Sequence, residues 1–175
     1  AAASGGGANG AVRAMAEMGG SLYLAGSFTG IAGSDFAHLA RWDGSTYSPV
    51  GPGVDGVVRA LASDAEGRLC AGGDFDSAGE RVAHGIAVWD STSWDALGAG
   101  VEGAVNAVVQ GWGGVFIAGD FSAAGGVLAS RVAFWDGERW SALGSGFDGS
   151  VRCLAVTPAA VYAGGSFSIA GEISA

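Results

Sequence analysis

Four polar side chains recur at one position of a repeated apolar segment, and three of them are arginines. They are Arg13, Arg59, Asn106 and Arg152, which we call the collar residues. Guanidinium groups gathered at one place bind carboxylate, sulfate or phosphate groups, and they also hydrogen-bond to hydroxyls. The collar residues therefore predict a polar site that receives an anionic ligand or a sugar, provided that the fold brings them together.

The residues four positions before the collar residues leave a second interpretation open. These positions hold Asn9, Asp55, Glu102 and Asp148. An arginine paired with such a carboxylate would brace neighbouring repeats, and an exposed pair of this kind contributes little to stability. In both interpretations the acidic side chains are expected beside the arginines.

Trp112 is a second candidate for contact with a ligand or partner. It lies in the glycine-rich sequence QGWGG (110–114) and has no counterpart in the other repeats. Exposed tryptophans are enriched among the residues that dominate binding surfaces. We therefore expect Trp112 to be exposed and available for contact.

The residues that could bind a metal or catalyse a reaction form no recognisable set. His38 and His84 fall one register apart with no third ligand at matching spacing, which argues against zinc or copper. Asp64 and Glu66 fall short of a calcium-loop pattern. Cys70 and Cys153 occupy core positions of the repeat and are expected to be buried free thiols. The sequence predicts no catalytic residue, no cofactor and no metal.

A repeat of about 46 residues must position these side chains. Its most constant element is a short glycine-rich phrase ending in phenylalanine, with Phe28, Phe75, Phe121 and Phe167 at 46- or 47-residue intervals. Tryptophan follows 14 residues later at Trp42, Trp89 and Trp135, and another aromatic five residues after that at Tyr47, Trp94 and Trp140. We expect the glycines to admit a neighbouring sheet, the phenylalanines to anchor it, and the aspartate after each tryptophan to open a tight turn.

Each repeat contains four predicted strands, which in the second repeat span 57–62, 68–75, 85–90 and 93–98. The first two strands are apolar or small on both faces, as buried strands are. Units of this length and strand number are typical of β-propeller blades. The predicted boundaries are the end of a preceding blade at 1–10, blades at 11–56, 57–103 and 104–149, and a partial blade at 150–175. The collar residues start the innermost strands and would ring one mouth of the central channel.

These motifs resemble the kelch-type repeats of galactose-oxidase-like β-propellers. The resemblance rests on segments such as LYLAGSF (22–28) and VWDSTSW (88–94), and residues 122–149 are similar to tandem repeats of secreted and cell-surface bacterial proteins. It implies an all-β propeller outside the cell or in its envelope. Copper oxidase activity is not implied, because the tyrosines, histidines and linked cysteine that such a copper site needs are not assembled as a set in this sequence.

Composition limits the class of partner. The net charge is −9, with eight arginines, no lysine and seventeen acidic residues, which disfavours binding to nucleic acid. No apolar run approaches the ~20 residues that span a bilayer. The expected function is a non-enzymatic structural, protein-interaction or ligand-binding module, with variable segments such as 34–40 and 80–87 distinguishing a protein or glycan partner. The alternatives are a lectin-like module or part of a propeller enzyme whose active residues lie elsewhere.

The number of repeats predicts an incomplete ring. Residues 11–175 supply about three and a half blades, whereas propellers close with about four to eight. We therefore expect this chain to be a segment of a longer propeller. The alternatives are two chains that close one ring, or an N-terminal strand that completes the last blade.

Overall fold

The structure is a computed structural model that describes residues 7–174. These residues form β-strands joined by turns, with no helix among them, so the predicted all-β class is confirmed. In this part of the chain no helix is long and apolar enough to cross a membrane.

The first two repeats each form a four-stranded antiparallel sheet and a two-stranded hairpin. The first contains β1 (Val12–Met18), β2 (Ser21–Gly26), β3 (Gly30–Ile31), β4 (Ser34–Asp35), β5 (Leu39–Trp42) and β6 (Tyr47–Pro49). The second contains β7 (Val57–Ser63), β8 (Leu69–Asp74), β9 (Ser77–Ala78), β10 (Arg81–Val82), β11 (Ile86–Trp89) and β12 (Trp94–Ala96). The sheets pair in the orders β1–β2–β5–β6 and β7–β8–β11–β12, as the four predicted strands require.

The third repeat has the same plan with longer inner strands, and the last sheet has two strands. The third contains β13 (Val101–Gly111), β14 (Gly114–Ala124), β15 (Val127–Leu128), β16 (Val132–Trp135) and β17 (Trp140–Ala142). The last repeat contains β18 (Ser150–Val156) and β19 (Val161–Ser166), which form the two-stranded sheet, and a separate hairpin of β20 (Ile169–Ala170) and β21 (Ile173–Ser174). The third sheet pairs in the order β13–β14–β16–β17, with β15 added to β14, and β18 pairs with β19.

Short hairpins occupy part of the segments 34–40 and 80–87, which were expected to be variable loops. Part of each segment is a return strand, β4 or β10. The turn of the hairpin is tied to the glycine segment before it, since the Gly79 N–H donates to the Gly53 carbonyl at 2.8 Å and the Gly125 N–H donates to the Gly100 carbonyl at 2.8 Å.

Successive sheets pack against each other in chain order. The first strands lie side by side, with β1 against β7, β7 against β13 and β13 against β18. Phe28, Phe75 and Phe121 are buried, as expected of anchors, whereas Phe167 is only half-buried. One apolar cluster joins Val88 of the second sheet to Val105 and Ile117 of the third. The core thus lies between the sheets.

The aspartates after the tryptophans form the predicted turns. Asp43, Asp90 and Asp136 each accept hydrogen bonds from the backbone N–H groups two and three residues further on. Hydrogen bonds from the Thr92 hydroxyl and from the backbone N–H groups of Ser93 and Thr92 lower the pKa of Asp90 to about 2. These carboxylates are therefore occupied by hydrogen bonds within their own turns.

Candidate functional site

Each collar residue is the extra residue of a β-bulge. The pairing register between the first two strands of a sheet slips across Val12/Ala14, Val58/Ala60, Val105/Ala107 and Val151/Cys153. The residues skipped by these slips are Arg13, Arg59, Asn106 and Arg152. A bulge leaves its extra residue outside the ladder and re-aims the side chain, and bulges are frequent beside binding sites. The same β-bulge therefore occurs four times, once in each repeat.

One glycine of the repeated phrase makes room for each bulge. These glycines are Gly26, Gly73, Gly119 and Gly165. A Cβ on Gly119 would overlap the carbonyl oxygen of Ala104, on the strand that carries the bulge, and the other three glycines meet the equivalent oxygen. Among the glycines of the repeated phrase in the described chain, Gly72 alone lies against the next sheet as we predicted, with its Cβ position 2.6 Å from a Val105 methyl. The repeated phrase is thus part of how the collar is constructed.

The four collar side chains line one cavity of about 470 Å³ together with Asp120 and Ser150. The structure therefore brings together the four residues that the sequence singled out, although they are spread over 140 positions of the chain. Their strands β1, β7, β13 and β18 are those that lie side by side. A single ligand in this cavity can contact residues from all four repeats.

Asn106 connects the second, third and last sheets. Its side-chain oxygen accepts a long hydrogen bond of 3.5 Å from Arg59 Nη1, and its side-chain nitrogen donates to Asp120 Oδ2 and to the Val151 carbonyl, both at 3.0 Å. An amide both accepts and donates, whereas a guanidinium only donates. This explains why the third copy departs from arginine.

The carboxylates beside the collar come from the position before the repeated phenylalanine. Arg59 Nη2 lies 3.4 Å from Asp74 Oδ2, and Asp120 accepts the hydrogen bond from Asn106. Burial acts to raise the pKa of Asp120, but hydrogen bonds from Ser150 and Asn106 and the charges of nearby arginines prevail and lower it. Asp120 is therefore ionised at neutral pH.

The repeats of Arg13 and Arg152 lack the carboxylate found beside Arg59 and Asn106. In their repeats the position of Asp74 and Asp120 is held by Ser27 and Ser166, and Arg152 Nε donates to the Ser166 hydroxyl at 3.3 Å. Both arginines are exposed. The collar thus has three arginines but only two neighbouring carboxylates, those of Asp74 and Asp120. Arg59 Nε is moreover buried without a hydrogen-bond partner among residues 7–174, and buried donors are rarely left unpaired.

The acids four positions before the collar do not lie beside the arginines, which corrects that expectation. Asp55 Oδ1 accepts the backbone N–H groups of Asp76 and Ser77, both at 2.9 Å, and Asn9 and Asp148 hold the hairpins of their repeats in the same way. None of these residues, nor Glu102, lines the collar cavity. The bulge turns the arginines away from them and toward the residue before the phenylalanine.

Trp112 is exposed as predicted, with 56% of its surface accessible. Its indole N–H donates to the Thr157 carbonyl at 2.9 Å, and its ring meets Phe116 edge-on with centroids 5.2 Å apart. The residue therefore links the turns of the last two sheets. It follows the end of β13, roughly 20 Å along the strand from Asn106, so it is not part of the collar.

His84 and Asp64 are engaged in local structure, whereas His38 Nδ1 is buried without a hydrogen-bond partner among residues 7–174. His84 Nδ1 lies 3.4 Å from Asp76 Oδ1, and Asp64 accepts hydrogen bonds from the Glu66 and Arg68 N–H groups and from Arg68 Nε. Among residues 7–174 no three histidine, cysteine or acidic side chains are grouped as metal ligands would be.

The two cysteines differ in exposure, which corrects the prediction that both are buried. Cys70 is fully buried, whereas Cys153 is exposed. The positions equivalent to Cys153 are buried at Ala60 and Ala107. Ala60 packs against Val105 of the next sheet, and no further sheet covers β18 within the described chain.

We expect one thiol per folded chain to react rapidly with a thiol reagent such as DTNB. Burial raises the pKa of the Cys70 thiol to about 12, so its reactive thiolate is scarce as well as inaccessible. Cys153→Ala should remove the fast reaction and Cys70→Ala should leave it unchanged. Similar rates for both thiols before unfolding would contradict this assignment.

In comparisons with protein-family models and with curated proteins, the chain matches none. The candidate site therefore rests on the repeated geometry of this chain alone.

Proposed function

We propose that this chain is a ligand-binding module built from kelch-like β-propeller blades, and that the collar cavity binds an anionic group of its ligand. The observation that carries the proposal is the set of four β-bulges that direct Arg13, Arg59, Asn106 and Arg152 into one cavity. A scaffold alone does not need the same irregularity four times, each with a long polar side chain. The proposed role is binding, because the four collar side chains offer hydrogen bonds and positive charge with which to hold a ligand.

The architecture and the location outside the cell belong to the same proposal. Support for a propeller comes from the four-stranded sheets that follow one another with their first strands side by side. In that arrangement the collar surrounds the mouth of the central channel. Support for a location outside the cell or in its envelope comes from the resemblance to repeats of secreted and cell-surface proteins.

The charge pattern favours a carboxylate or sulfate group, as found on acidic sugars and acidic protein segments. In the repeats of Arg13 and Arg152 a serine stands where the other two repeats have aspartate, and both arginines are exposed, so their guanidinium groups remain available to an anion. Arg59 and Asn106 are held by Asp74 and Asp120 and can offer hydrogen bonds from fixed positions. The cavity can hold one sugar unit.

Titration with galacturonate, followed by NMR, tests the proposal directly. We expect saturable shifts of the Asn106 side-chain amide and of the arginine Nε resonances, whereas galactose, which lacks the carboxylate, should bind more weakly. Arg13→Gln and Arg152→Gln should each weaken binding by about tenfold, because a hydrogen bond to a charged group contributes about 1.5–3 kcal/mol.

Arg139→Gln is the matched control. Its side chain is 80% exposed on the turn between β16 and β17 and lies outside the collar. Equal weakening by this variant would mean that binding follows net charge alone. Shifts outside the collar, or the same affinity for galactose and galacturonate, would contradict an anion site at the collar.

A further inference from the structure

A cavity of about 340 Å³ lies at the junction between the first two sheets, which we call the junction site. Its lining includes Met18, Tyr23 and Arg41 of the first repeat and Trp89 and Ser91 of the second. Met18 ends β1, roughly 16 Å along the strand from the collar residue Arg13. The junction site is therefore distinct from the collar, and its volume is within the range of sites that hold a small molecule.

Arg41 occupies a position that is apolar in the other sheets. It is paired with Tyr23 between β5 and β2, as Val88 is paired with Cys70 between β11 and β8. In the third sheet the same position is held by Phe134. Cys70 and Val88 are buried in the apolar cluster between the second and third sheets. The first junction thus carries a positive charge and a phenol hydroxyl where the second is closed by apolar packing.

Most of the Arg41 guanidinium is available to a ligand. Its Nε donates to the Ser21 hydroxyl at 3.0 Å, which fixes the direction of the side chain. Among residues 7–174, neither Nη1 nor Nη2 has a hydrogen-bond acceptor, and no carboxylate lies within 4 Å of the group. Two guanidinium nitrogens can donate in parallel to the two oxygens of a carboxylate.

Ser91 departs from the repeat beside the same cavity. Its backbone has φ +82°, whereas the equivalent positions of the other two turns are glycines, Gly44 with φ +100° and Gly137 with φ +104°. A side chain in this conformation is strained where glycine is not, and such strain is concentrated at ligand sites. Two departures from the repeat, each of which adds a polar group, therefore meet at one cavity.

We propose that the junction site binds a small carboxylic acid that carries an apolar group. The carboxylate accepts hydrogen bonds from the Nη groups of Arg41 and from the Ser91 hydroxyl, and the apolar group packs among Met18, Tyr23 and Trp89. A few polar groups beside apolar and aromatic side chains are usual in sites for small molecules. This proposal does not depend on the function proposed for the collar, so either can fail without the other.

An NMR titration of the intact chain with phenylacetate tests the proposal. We expect saturable shifts of the Trp89 indole N–H and of the Arg41 Nε resonance. The Trp89 resonance distinguishes this site from the collar cavity, which is lined by other residues. Acetate lacks the apolar group and phenylacetamide lacks the charge, so each should bind about tenfold more weakly or worse. Equal binding of phenylacetamide, or shifts confined to the collar, would overturn the proposal.

Arg41→Val should weaken phenylacetate binding by about tenfold or more. The variant should still fold, because valine occupies the equivalent position at Val88. Arg139→Val is the matched control, since it removes the same charge from an exposed turn of the third repeat. Equal weakening by the two variants would mean that binding follows net charge, which would overturn the proposal.

Ser91→Gly separates binding from stability. Loss of the hydroxyl should weaken phenylacetate binding by about fivefold. The same change should raise the urea midpoint of unfolding, because glycine adopts a positive φ without strain. A Ser91→Gly chain that gains stability and binds phenylacetate as tightly as before would overturn the proposal, because the strain at Ser91 would then have no connection with the cavity.

Discussion

Replacing Trp94 with alanine is expected to lower the free energy of unfolding by about 3–5 kcal/mol, the usual range for a large buried aromatic. Trp94 is 3% exposed, and its ring packs against Trp89 with centroids 5.4 Å apart. Its indole N–H supplies the hydrogen bond to the Val50 carbonyl across the junction of the first two sheets. The substitution removes the packing and the hydrogen bond together and leaves a cavity.

Equilibrium unfolding in urea, followed by far-UV circular dichroism, measures this effect. Trp112→Ala is the control, because Trp112 also donates to a backbone carbonyl of the neighbouring sheet but is largely exposed. We expect Trp112→Ala to lower the free energy of unfolding by only about 1 kcal/mol. Equal losses for the two variants would mean that burial between sheets does not set the stability of the chain.

Trp94→Phe separates the two contributions. It keeps most of the apolar ring and leaves the buried Val50 carbonyl without its donor, which costs about 1–3 kcal/mol. A loss as large as that of Trp94→Ala would place nearly all of the effect in the hydrogen bond. If Trp94→Phe loses almost no unfolding free energy, the effect of Trp94→Ala comes from the packing of the ring.

The strands and the strand order of each sheet could be predicted from the sequence because they repeat. Apolar segments at fixed distances from Phe75 and Trp89 define four strands per unit, and the observed strands of the second repeat agree with the prediction within two residues at each end. The burial of the phenylalanines follows from the same repetition. Periodicity is a reliable guide where each repeat solves the same packing problem.

The hairpins and the partners of the arginines could not be predicted in the same way. A β-bulge shifts the register by one residue, and no local preference of Val58 or Arg59 shows that shift in the sequence. Without it, Arg59 would be expected near Asp55, whereas it pairs with Asp74. The available signal was the glycine opposite the bulge, Gly73, which recurs in every repeat and which we had assigned to contact with a neighbouring sheet.

Gly119→Ala is expected to lower the free energy of unfolding by about 3 kcal/mol, as much as the loss of a buried aromatic, although it adds a single methyl group. The new Cβ overlaps the Ala104 carbonyl, which is backbone and cannot rotate away as a side chain would. Relief requires the strands to separate or the bulge at Asn106 to be lost. Loss of the bulge would shift the register by one residue and turn the buried face of β13 outward.

Gly164→Ala is the control, because the same strand position holds alanine at Ala25 and Ala118, and the nearest atom to its Cβ is the movable Cys153 sulfur. Urea unfolding should show a loss within about 1 kcal/mol for this variant. In Gly119→Ala the Asn106 amide should also lose its hydrogen bonds to Asp120 and Val151, which changes its NMR resonances below the unfolding transition. A stable Gly119→Ala chain with unchanged Asn106 resonances would mean that the bulges do not need their glycines. The stability of the sheets and the position of the collar would then be separate properties, whereas the structure makes them depend on the same residue.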